Sequence, residues 1–123
     1  MEPLLLCVHM EPGKLLRLSM LAMSLGIRVK EVKQDQEGQT LAALCGLEPM
    51  KKRLPDAPVG DEMMVMAFFP DALLDRLFLT MRQSGLAMPA LRAVLTPTNR
   101  NWNCGRLYKE LSRERLALNA RKE

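Results

Sequence analysis

Residues 4–27 lie over residues 63–86 at a constant offset of 59, and this internal match limits the folds open to the chain. LLLCVH falls on MMVMAF, and KLLRLSMLAMSLGI falls on LLDRLFLTMRQSGL. Leu15 meets Leu74, Arg17 meets Arg76, Leu18 meets Leu77 and Gly26 meets Gly85. The identities are few. The shared plan is clearer: an apolar run, a helical period, a glycine and a second apolar segment.

The runs LLLCV (4–8) and MMVMAF (63–68) suit strands buried on both faces. Leu15, Leu18, Leu21, Ala22 and Leu25 then recur at three- and four-residue steps, as do Leu73, Leu74, Leu77 and Met81. Pro12 and Pro70 stand near the helix starts, and Gly26 and Gly85 follow the last turns. A second strand closes each half. IRVKEV (27–32) alternates apolar and charged residues like an edge strand, and LRAVLT (91–96) puts Leu91, Ala93 and Leu95 on one face.

Strand–helix–strand thus occurs twice, and a C-terminal helix follows over about residues 103–119. Right-handed crossovers place both helices on one face of a four-stranded sheet. With the two apolar strands central, the expected fold is α+β and ferredoxin-like, built from two βαβ halves. The expected plan is a single domain, 1–123. It comprises a first half with a short helix (4–47), a linker (48–62), a second half (63–96), and a turn with the C-terminal helix (97–123).

The other face of that sheet needs cover, because an exposed apolar sheet is rare on a monomer. Three suppliers are open. One is the short helix QTLAALCGL (39–47), with Leu41, Leu44, Cys45 and Leu47 on a stripe. Another is the terminal helix, with Leu107, Tyr108, Leu111 and Leu118 on one face. The third is a second copy of the chain, a homodimer.

Composition narrows the function. No apolar run reaches the ~18 residues of a membrane span, and the start lacks a basic leader and a cleavage site. A cytoplasmic protein is expected. Cys7, Cys45 and Cys104 show neither disulfide nor zinc spacing and read as small buried hydrophobes. His9 is the only histidine, so no metal and no cofactor is expected. No phosphate loop, nucleophile elbow or Cys–His arrangement is visible, which argues against an enzyme. Ten Met suit core filling or an adaptable binding surface.

The charge is uneven. Residues 1–98 balance, while residues 99–123 hold Arg100, Arg106, Lys109, Arg113, Arg115, Arg121 and Lys122 against Glu110, Glu114 and Glu123. Such a run can meet phosphates, but a solvated helix face gives the same pattern. Few aromatics stand on the strands for base stacking, so nucleic acid is an unfavoured partner.

TPTNRNWN (96–103) is the densest polar stretch. Pro97 marks the strand exit, and Asn101 or Asn103 can cap the following helix. Thr96, Thr98, Asn99, Arg100, Asn101 and Trp102 form the candidate ligand site. Arg100 supplies a fork for a small anion, the Asn and Thr side chains neutral donors, and Trp102 a ring face. The same residues also make an ordinary strand-to-helix junction. Both readings stand at this point.

LRAVLTPTNRNW resembles the most distinctive segment of an uncharacterised bacterial family of small domains of unknown function. LGIRVKEV, GQTLAALCGL and AVLTPTN followed by Trp are similar to that family's plan over most of residues 4–111. The resemblance implies a domain outline and no activity. A small binding or regulatory module is therefore the expected class. It would hold an anionic ligand at the turn or a protein partner on the sheet face.

Overall fold

The computed structural model describes residues 1–55 and 57–122. Two parallel strands, β1 (Leu4–Val8) and β2 (Arg28–Val32), flank helix α1 (Pro12–Ser24). A 3₁₀ turn (Gln34–Gln36) and the short helix α2 (Leu41–Leu44) follow. The order then repeats: β3 (Met63–Ala67), α3 (Asp71–Gln83), β4 (Leu91–Val94), a 3₁₀ turn (Asn99–Asn101) and α4 (Cys104–Lys122). No helix among the described residues is long and apolar enough to cross a membrane.

The duplication is therefore deeper than the sequence match. β1 and β3, and α1 and α3, keep the offset of 59 at both ends. His9 and Phe68, also 59 apart, both take left-handed backbone, with φ of 55° and 63°. Non-glycine residues adopt that region rarely and at a cost. Both helices end alike as well. The amide of Ile27 reaches the Ala22 carbonyl and that of Leu86 the Met81 carbonyl, each across a glycine with positive φ. From the second strands onward the offset is 63, and it carries Arg28 onto Leu91 and Thr40, the cap of α2, onto Asn103, which precedes α4.

The sheet runs β2-β1-β3-β4, with β1 antiparallel to β3 and each outer strand parallel to its inner neighbour. The apolar strands are central, as expected. The ferredoxin-like arrangement is not what forms. That fold splits each βαβ unit around a strand of the other, whereas here each unit keeps its two strands side by side. Leu6 pairs with Val65, and the 59-residue shift maps Leu6 onto Val65, so a pseudo-two-fold axis passes between them.

Both faces are covered from within the chain. On one, Leu5, Cys7, Met64 and Met66 meet Leu18 and Ala22 of α1 and Leu77 and Met81 of α3. On the other, Leu4, Leu6, Val8, Met63, Val65 and Ala67 meet Leu41 and Leu44 of α2 and Cys104 and Leu107 of α4. The sheet face considered for a second copy or a protein partner is thus buried. The methionines of β3 are core rather than adaptable surface. Leu118 departs from expectation: α4 is buried only near its start, and Leu116 and Leu118 are exposed. The side chains of Arg121 and Lys122, and Glu123, lie outside the described residues.

Candidate functional site

The Thr96–Trp102 segment separates into a junction and a cleft. Asn99 is buried and belongs to the junction. Its Oδ1 accepts from the Thr96 amide at 2.8 Å, and its Nδ2 donates to the Val94 carbonyl at 3.0 Å. The Asn99 amide in turn donates to Thr96 Oγ1 at 3.1 Å. These bonds spend the donors that a ligand would need. Removing a buried side chain with two such bonds costs about 2 kcal/mol. Asn99→Ala is therefore expected to lower the denaturant midpoint without changing its slope, in a urea titration followed by circular dichroism.

Trp102 is also structural. Its ring packs on the core cluster, and the Arg106 guanidinium stacks 4.8 Å from the ring centroid. Its carbonyl accepts from the Leu41 amide at 2.9 Å, joining the two halves. Asn103 caps α4, accepting from the Arg106 amide at 2.9 Å. Thr98 and Asn101 are exposed.

Arg100 is different. With Thr96 and Pro97 it lines a cleft of about 360 Å³ whose other walls are Leu47, Phe68, Phe69, Val94 and Leu95. Arg100 is half-buried as a residue and has no ion pair among the described residues. Three arginines of α4 have acidic neighbours. Arg106 and Arg113 lie near Glu110, and Arg115 lies 3.9 Å from Asp61.

A second site was missed from the sequence. His9 Nε2 lies 3.0 Å from Glu37 Oε1, and Glu37 is buried. Two adjoining clefts, of about 340 and 240 Å³, share His9, Gln34 and Glu37 as lining. Glu37 stands between β2 and the short helix, in a stretch with no motif, and 28 positions separate it from His9. Extending the internal alignment past β2 gives the one usable signal. At the offset of 63, Glu37 falls on Arg100, and Val32, Lys33 and Gln34 fall on Leu95, Thr96 and Pro97. The smaller His9 cleft and the Arg100 cleft are thus counterparts about the pseudo-axis, at opposite ends of the sheet, while the larger His9 cleft adds the walls Pro55 to Val59 and has no counterpart.

Each cleft sits beyond the carboxyl ends of two parallel strands. Open α/β sheets commonly hold ligands there. The cysteines take no part in such chemistry. Burial pushes the thiols of Cys7 and Cys104 up to about 12 and that of Cys45 to about 11. They stay protonated and poorly nucleophilic near neutral pH. Among the described residues no cluster of His, Cys, Asp and Glu could hold a metal ion.

No curated protein and no solved structure matches the chain. Residues 62–118 match the model of a family described as a domain of unknown function, DUF3783. That span opens just before β3 and closes within α4. It covers the second repeat except the end of α4, leaves the first outside, and carries every lining residue of the Arg100 cleft but Leu47.

Proposed function

We propose that the protein is a non-enzymatic binding module that holds a small organic anion with an apolar body in the Arg100 cleft. One observation carries this reading: a half-buried arginine without a carboxylate partner among the described residues, lining a cleft with Phe68, Phe69 and Leu95. Arginine binds planar anions through paired N–H groups, and such charge-assisted bonds outweigh neutral ones. The apolar walls suit the rest of such a ligand, since small-molecule sites combine greasy walls with a few placed polar groups. Thr96 adds a polar group at the rim, while Asn99 and Trp102 hold the segment in shape.

Phenylacetate and its neutral amide, phenylacetamide, separate charge from shape. In isothermal titration, phenylacetate is expected to bind at least tenfold more tightly than the amide. Arg100→Gln should remove that preference, a loss of about 1.5–3 kcal/mol for hydrogen bonds to a charged group. Equal affinities for the two probes, or an unchanged preference in the variant, would overturn the reading. Binding of nucleic acid by α4 has less support, because its described arginines already lie near Glu110 and Asp61.

A further inference from the structure

We propose that the His9–Glu37 cleft is a second binding site, which takes a small organic cation: a protonated amine on a short apolar body. Glu37 is 4% exposed, yet it lines the cleft. Its Oε1 faces His9 Nε2, and its Oε2 has no partner among the described residues. None of those residues has a fully buried side-chain oxygen without a partner, so Oε2 keeps contact with solvent, and the solvent-filled spaces that Glu37 lines are the two clefts. A carboxylate so nearly withdrawn from water gains from any cation or strong donor that reaches it.

The surroundings favour an amine. Pro55, Ala57, Pro58 and Val59 form apolar walls, and Gln34 adds an amide. No lysine or arginine lines this cleft among the described residues. Lys33 lines the adjoining cleft instead, together with Glu31. His9 is held there in left-handed backbone, the conformation Phe68 takes in the Arg100 cleft. At the offset of 63, Glu37 stands at the position of Arg100, so the repeat puts opposite charges at matched positions. This inference does not depend on the Arg100 site, and the two fail separately.

The test is a two-dimensional amide NMR titration of the full chain with benzylammonium and with benzyl alcohol, its neutral counterpart. Benzylammonium is expected to give saturable shifts at Met10, Gln34 and Val59, and to bind at least tenfold more tightly than the alcohol. Glu37→Gln, which keeps the shape, should bring benzylammonium down to the alcohol's affinity. Arg100→Gln should leave both unchanged. Absence of saturable shifts at millimolar probe, shifts confined to other residues, or equal affinities for the two probes would each overturn the proposal. Should Glu37→Gln fail to fold, the comparison of the two probes on the unaltered chain decides alone.

Discussion

Leu107→Asp is expected to abolish cooperative unfolding at room temperature, while Leu116→Asp and Leu118→Asp leave it intact. Leu107 is 1% exposed and packs in the cluster under the sheet, beside Leu41, Leu44 and Val65. A carboxylate there loses the packing of the leucine and buries a charge with no partner. Together these cost about 4–6 kcal/mol. A domain of this size holds roughly 5–15 kcal/mol in all. Leu116 and Leu118 lie on the same helix but are 70% and 56% exposed, so the same charge should shift stability by no more than ~0.5 kcal/mol. Thermal melts of the three variants check this. Similar midpoints for all three would show that α4 is not the cover of the sheet.

Leu6→Ala is expected to remove about 3 kcal/mol. Leu6 is fully buried, and its partner across the β1–β3 ladder, Val65, belongs to the same core cluster. Side chains from both halves surround the site, so neither can relax far to fill the space without moving the other. A urea titration should show a lower midpoint with the slope retained. A loss under ~1 kcal/mol would mean that the middle of the sheet is loosely packed.

These two changes probe what the residue pattern shows best. The continuous runs LLLCV and MMVMA placed β1 and β3 at the centre, because only strands shielded on both faces tolerate such runs. The helical periods and the closing glycines placed α1 and α3 within a few residues of their ends. The alternation in RVKEV marked an edge strand, but not the edge of which neighbour. β2 beside β1 and β2 beside β3 need the same pattern, so the strand order was out of reach. α4 misled through Leu118, since an apolar residue on an amphipathic helix looks alike whether the helix has reached the end of the core or not.

The candidate site was half legible. TPTNRNWN announced itself by composition, and Arg100 does line a cleft. Asn99 and Trp102 were harder to place, because capping and ligand binding use the same donors and rings. Glu37 and His9 gave no local signal at all. Only the geometry of the repeat, with its offset changing between the helix and the second strand of each half, puts Glu37 in register with Arg100.

The ladder between β1 and β3 has a further consequence. It is the seam at which two self-similar bodies are zipped, and residues 48–62 are the tether that keeps them at one another's side. A tether makes such docking independent of dilution. Severed there, either body would present a naked, greasy strand edge, the kind that captures whatever complementary strand it meets, its own kind included.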